Sequence, residues 1–143
     1  MTRAKPLPDT MTAEQFREMR ADVKPRKRSH APGEMNPTEA RYESLLATKK
    51  MVGAIQDYGF ERLKLKLPGH RMSYTPDFDV EREATPGLIR ITCYDVKGDP
   101  KWKRHREDAW KTIKMAAAAF RWIEFKIALW TPEGWKYETV PKE

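Results

Sequence analysis

Leu88-Ile89-Arg90-Ile91-Thr92-Cys93-Tyr94-Asp95-Val96-Lys97 reads as one strand from end to end. β-Branched and aromatic residues dominate it, and Gly87 and Gly98 bound it, which is how a strand is punctuated. Residues two apart in a strand share a face, so Asp95 and Lys97 project together while Val96 points away. Upstream, Met72-Ser73-Tyr74-Thr75-Pro76-Asp77-Phe78-Asp79-Val80 also alternates. Tyr74, Pro76, Phe78 and Val80 fall on one face; Ser73, Thr75, Asp77 and Asp79 fall on the other. Pro76 has no N–H to give a ladder and suits an edge, a strand start or a bulge, so a bulge beside Asp77 is expected. The connecting Glu81-Arg82-Glu83-Ala84-Thr85-Pro86-Gly87 ends in a Pro-Gly turn, which makes the two strands antiparallel neighbours. That hairpin brings Asp77 near Asp95 and Lys97. Two carboxylates and an ammonium so placed outline a site for cation-assisted cleavage of phosphodiesters. Asp79 shares the face of Asp77 and stays in the candidate set.

Working outward, Arg62-Leu63-Lys64-Leu65-Lys66-Leu67-Pro68-Gly69 alternates basic and apolar residues and predicts a half-buried strand. Its leucines face the core; Arg62, Lys64 and Lys66 form either a rail facing nucleic acid or the charged protection of an edge strand. Asn36 as N-cap, Pro37 at the first helical position and Glu39 three residues past the cap predict a helix start. The helix runs through Tyr42, Leu45, Leu46 and Val52 and is expected to stop near Tyr58-Gly59. Glu39 lies near the margin of that apolar stripe and also completes a capping box with Asn36; Glu43 lies further round, opposite Lys50 or Arg41.

Beyond Gly98 come Lys101, Lys103, Arg104 and Arg106, then a helix over about Glu107 to Phe120 that carries Lys111 and Lys114. This is the densest basic stretch of the folded part, and it follows directly on the carboxylate segment. Trp110 reads as core, and Trp102 either packs in the core or stacks on bases. His105, alone in a basic run, reads as solvated rather than as a general base. The alanines of Met115-Ala116-Ala117-Ala118-Ala119 let the helix lie close on the sheet. Ile123 to Trp130 and Trp135 to Val140 predict two last strands, joined at Thr131-Pro132-Glu133-Gly134.

Residues 1–33 differ in character. They hold Pro6, Pro8, Pro25, Pro32 and the basic run Lys24-Pro25-Arg26-Lys27-Arg28. A flexible tail is expected there, with a short helix from Ala13 to about Ala21 started by the Thr12 and Gln15 spacing. The folded domain is expected over 34–143. A chain of 143 residues supports one core without disulfides, and the single cysteine, Cys93, excludes an internal one. The absence of a long apolar run, and of a signal-peptide pattern at Met1-Thr2-Arg3-Ala4, makes a cytoplasmic protein with no membrane contact the expectation. The net charge of +7, from 28 Lys and Arg against 21 Asp and Glu, favours a polyanionic partner. His30, His70 and His105 have no metal-ligand spacing.

Tyr74-Thr75-Pro76-Asp77-Phe78 followed by Asp95-Val96-Lys97-Gly98 resembles the half-motifs of the PD-(D/E)XK nuclease superfamily, and among its members the small phage-encoded ones. The resemblance runs from residue 36 to about 140, with Asp95 where Glu is commoner. It implies an α/β fold with a restriction-endonuclease-like core: a helix, a three-stranded antiparallel meander, a second helix, and one or two further strands in a mixed sheet. It implies a Mg²⁺- or Mn²⁺-dependent endodeoxyribonuclease in which Asp77, Asp95, the Val96 carbonyl and a helix-borne glutamate, Glu39 in preference to Glu43, hold the ion. Lys97 then stabilises charge at the phosphate, while Lys64, Lys66, Lys101, Lys103, Arg104, Arg106 and Lys111 hold DNA. Branched DNA or junctions lead as substrates, with a role in recombination and action in the host cytoplasm. A junction calls for a homodimer, for which Trp122, Trp130 and Trp135 are the candidate interface. The alternatives are a non-catalytic DNA-binding or packaging accessory that retains the fold, and an adaptor that binds a host protein.

Overall fold

The computed structural model describes residues 11–12, 34–69 and 72–142. Met11–Thr12 form a short strand, β1, and the next element is the helix α1 (Pro37–Met51). The Asn36 side chain accepts from the Glu39 N–H at 2.8 Å, and the Glu39 carboxylate accepts from the Asn36 N–H at 3.0 Å, a complete capping box behind Pro37. The helix stops sooner than its sequence suggested. Val52 is the C-cap and Gly53 takes φ 79°, so the left-handed residue that ends the helix is Gly53 and not Gly59. Val52 is accordingly exposed rather than part of the apolar stripe.

Tyr58 and Gly59 belong instead to β2 (Asp57–Phe60), the first strand of the meander. The leucine-rich stretch, expected as a half-buried strand, contributes only β3 (Leu65–Lys66). It pairs with β4 (Ser73–Tyr74) in a separate two-stranded sheet. Leu63, Leu65 and Leu67 are nevertheless buried while Lys64 and Lys66 are exposed, so the alternation sets the burial although most of the ladder is missing. The long strand expected over residues 72–80 is likewise broken. Thr75-Pro76-Asp77 carries the chain from the small sheet to the main one, which it enters at β5 (Phe78–Thr85). A proline without an N–H fits such a crossing, and the expected bulge at Asp77 is replaced by this break; the register irregularity of β5 falls between Glu83 and Thr85.

β5 turns into β6 (Leu88–Lys97) through Pro86-Gly87, with Gly87 at φ 86° as the position after a turn proline requires. The chain continues through a short helix α2 (Trp102–His105) and α3 (Glu107–Ala119) to β7 (Ile123–Thr131) and β8 (Gly134–Thr139). The main sheet runs β2-β5-β6-β7-β8, with β6 and β7 parallel and the other neighbours antiparallel. The fold is therefore mixed α/β. β7 joins β6 only from Ile91 onward, and β1 pairs with Leu88 and Ile89 ahead of that point. Residues 11–12 thus belong to the sheet, although they fall in the segment expected to be a flexible tail. The expected helix over 13–21 and the basic run at 24–28 lie outside the described residues.

Each face of the sheet has its own core. Tyr42 and Leu46 of α1 pack on Phe78, Val80, Val96 and Ala128. On the other face, Ile113, Ala116 and Ala117 of α3 pack with Ile91, Cys93, Ile123, Phe125 and Ile127. The fully buried alanines let α3 approach closely, as their run suggested. None of the helices among the described residues is long and apolar enough to cross a membrane.

Candidate functional site

Three acids, from α1, from the crossing ahead of β5 and from the end of β6, come close enough for Asp95 and Glu39 to act on Asp77. Asp77 stands one residue before β5, and its Oδ2 accepts the Val96 N–H at 2.8 Å. Its carbonyl accepts the Glu61 N–H at 2.9 Å. Glu61 is the one positive-φ residue that is not glycine among the described residues, at φ 50°. Its left-handed turn redirects the chain after β2 and aims that N–H at Asp77. Asp95 projects from the face of β6 that carries Ile91 and Cys93, and Tyr74 Oη donates to its Oδ2 at 2.6 Å. Glu39 arrives from α1. The start of that helix rests on the end of β6: a Cβ at Gly98 would come within 3.2 Å of Thr38 Oγ1. Asp77, Asp95 and Glu39 are only 4%, 5% and 1% exposed.

Such burial disfavours charge, and the acids also act on one another. The Asp77 carboxyl is pushed well above its usual range of 3.8 by burial first, and then by the charges of Asp95 and Glu39. Lys97 and the Val96 N–H pull the other way. Lys97 is half-buried with its ammonium 5.0 Å from the centre of the Trp102 ring, an attraction of cation for π face that fixes its direction. Carboxylate oxygens beside a lysine are a hard donor set suited to Mg²⁺ or Mn²⁺. Among the described residues, no three His, Cys, Asp or Glu side chains stand together as a ready ligand set.

The geometry separates these residues from other candidates. Asp79 is held by Arg62, whose Nε lies 2.9 and 3.0 Å from its carboxylate oxygens and whose Nη2 lies 2.8 Å away. Arg62 also reaches Asp57 at 3.1 Å and Glu81 at 3.3 Å, so it belongs to an ion network and not to a basic rail. Glu43 accepts from Tyr58 Oη at 2.6 Å, rather than facing Lys50 or Arg41. That hydrogen bond, with some burial, pushes the Tyr58 hydroxyl up to about 12. Lys103 pairs with Glu138 and lies 4.1 Å over the Trp110 ring. Lys64, Lys66, Lys101, Arg104, Arg106 and Lys111 are exposed, as is His105. Trp102 is buried and edge-on to the half-buried Trp110, which excludes base stacking by Trp102 as it stands. Of the candidate interface residues, Trp122 is buried, while Trp130 and Trp135 are half-buried against each other with Arg41 over Trp130.

The contact that sequence reasoning missed is Tyr74 with Asp95. Strict alternation assigned Tyr74 to the face of Phe78 and Val80. The break at 75–77 lets it turn to the opposite face, among the core residues under α3. Burial and the neighbouring Asp95 raise the Tyr74 hydroxyl well above its ordinary range, so it stays a proton donor. Tyr74→Phe is expected to cost about 1–3 kcal/mol, the typical penalty for a buried acceptor that loses its donor. Urea unfolding measures it, and an unchanged midpoint would show that Asp95 does not depend on the phenol. Compared with protein-family models, curated proteins and solved structures, the chain matches none.

Proposed function

We propose that the chain is a metal-dependent endodeoxyribonuclease of the PD-(D/E)XK kind. The observation that carries the reading is the crowding of Asp77 with Asp95 and Glu39 beside Lys97 at the meeting of β5 and β6. Buried acids that repel one another are better accommodated when positive charge stands among them, and a bound cation would supply it. The order of helix, antiparallel meander, helix and parallel strand supports the same reading. Asp77 and Asp95 would hold Mg²⁺ or Mn²⁺, with Glu39 completing the set while its Oε1 keeps the cap of α1. The Val96 carbonyl is a further candidate, since its N–H already turns toward Asp77 and a strand residue directs both backbone groups to one side.

The ion, once bound, supplies a water acidified for attack and neutralises charge on the phosphoryl oxygens. Lys97 contributes a second positive charge, held in direction by Trp102, where charge develops in the transition state. Exposed Lys101, Arg104, Arg106 and Lys111, with Lys64 and Lys66, would bind the DNA backbone. Branched DNA is the substrate the resemblance favours.

Asp95→Asn keeps the size of the side chain but removes a hard anionic ligand. Cleavage of plasmid, four-way junction and single-stranded DNA with Mg²⁺ is expected to fall by a factor of at least about 10³, in line with losing electrostatic stabilisation of the transition state. DNA affinity in EDTA is expected to stay within about twofold, because the basic residues proposed to hold the backbone are left intact. Full activity of the variant would sink the assignment. The 2.6 Å bond from Tyr74 to Asp95 favours a second reading, in which Asp95 is a structural acceptor and the chain a DNA-binding accessory. Salt-sensitive binding by the wild type without any cleavage in Mg²⁺ or Mn²⁺ selects that reading.

A further inference from the structure

α1 covers only one end of its face of the sheet. Continuing from Phe78 and Val80 along β5, the next side chain on that face is Arg82, and the strand opposite presents Arg90 after Val96, Tyr94 and Thr92. The register sets Arg82 directly across from Arg90. Like charges directly opposite in an antiparallel pair oppose pairing, so this arrangement has a stability cost. Both guanidiniums are exposed, and neither forms an ion pair with a described residue. They open onto a groove of about 410 Å³ that also takes in Arg121, Trp122, Glu124 and Lys142. Arg82, Arg90 and Arg121 thus share the groove with one acid, Glu124, itself shared with Lys126 at 3.7 Å, while the Lys142 ammonium donates to the Ile123 carbonyl. Trp122 is 5% exposed and its indole N–H meets no acceptor among the described residues. Arg90 is five residues before Asp95, roughly 17 Å along the strand, and projects from the opposite face. The groove is therefore separate from the carboxylates.

We infer that this groove binds the phosphodiester backbone of a nucleic acid at a second site. A pair of forked guanidiniums suits the bidentate acceptor geometry of phosphate, and the uncompensated charge is what an anionic backbone would neutralise. The inference shares the nucleic-acid partner with the nuclease reading but not its chemistry. It concerns affinity in the absence of any metal, so the two fail separately.

The test uses the full chain and a fluorescein-labelled 20-base-pair duplex in EDTA, with anisotropy read across a salt series. Arg82→Ala/Arg90→Ala is expected to lower the slope of log affinity against log salt by about 1–2, and to weaken binding roughly tenfold near 0.1 M salt. Arg82→Lys/Arg90→Lys should recover most of the slope. Lys136→Ala, an exposed lysine of the edge strand β8, removes as much charge as Arg90→Ala and should weaken binding less. Because two repelling charges are removed, the alanine pair should melt no lower than wild type, so misfolding does not obscure the result. The inference is overturned if the wild type does not bind, if the slope is unchanged in the alanine pair, or if Lys136→Ala matches Arg90→Ala. It is also overturned if the alanine pair melts lower than wild type while DNA binding is unchanged.

Discussion

Arg62→Ala is expected to destabilise the fold by about 3–5 kcal/mol, the usual cost of removing one member of a buried ion pair. The side chains of Asp79 and Glu81 are 1% and 5% exposed, and Arg62 reaches both. Against a total stability of roughly 5–15 kcal/mol for a domain, that loss is large. The chain makes room for this contact at Gly59, which pairs with Asp79 across the β2–β5 ladder. A Cβ there would lie 2.0 Å from Arg62 Cδ and Nε, because the arginine passes directly over the glycine. Gly59→Ala should therefore reproduce much of the Arg62→Ala deficit by displacing the guanidinium. Arg62→Met/Asp79→Leu should recover part of the stability relative to Arg62→Ala, since it removes the most buried acid of the network together with the arginine. Equilibrium denaturation decides: a deficit under about 1 kcal/mol for Arg62→Ala would put the network among surface ion pairs of little weight.

The same network explains what the sequence could and could not convey. Strand β6 was legible because glycines bound it and its period-2 pattern assigns both faces, with Asp95 and Lys97 on one and Val96 on the other. The start of α1 was legible because Asn36, Pro37 and Glu39 each satisfy a local requirement of a helix N-terminus. β2 was not legible. Its four residues include Gly59, a poor strand former that is there to let Arg62 cross, and the stronger leucine alternation just downstream took its place in the reading. Arg62 itself is claimed by acids 17 and 19 residues away, a pairing that no local pattern encodes. The candidate site divides in the same way. Asp77, Asp95, Lys97 and Glu39 could be nominated from residue type and spacing, whereas Tyr74 entered only through the strand break that turned it across the sheet.

Asp77→Asn should separate stability from chemistry. In the folded protein the Asp77 carboxyl holds its proton to well above 3.8, because it is buried and faces Asp95 and Glu39. The unfolded chain gives up that proton near 3.8, so as pH rises past this value the unfolded state is favoured progressively, until the folded-state group ionises as well. Below 3.8 both states are protonated and the penalty is absent. Asparagine keeps an oxygen to accept the Val96 N–H and carries no charge at any pH. In EDTA, Asp77→Asn is therefore expected to melt above wild type at pH 7–8, with the difference closing by about pH 3.5. Each 1 kcal/mol gained would raise the midpoint by roughly 3–6 °C for a domain of this size. Mg²⁺ should raise the midpoint of the wild type, by linkage to an ion held in the folded state, and leave that of Asp77→Asn nearly unmoved. Cleavage should be lost in the variant at every pH. If Asp77→Asn instead melts lower than wild type at pH 8 in EDTA, the ionised carboxylate is a structural acceptor for β6, and the crowding of acids carries no argument for a bound cation.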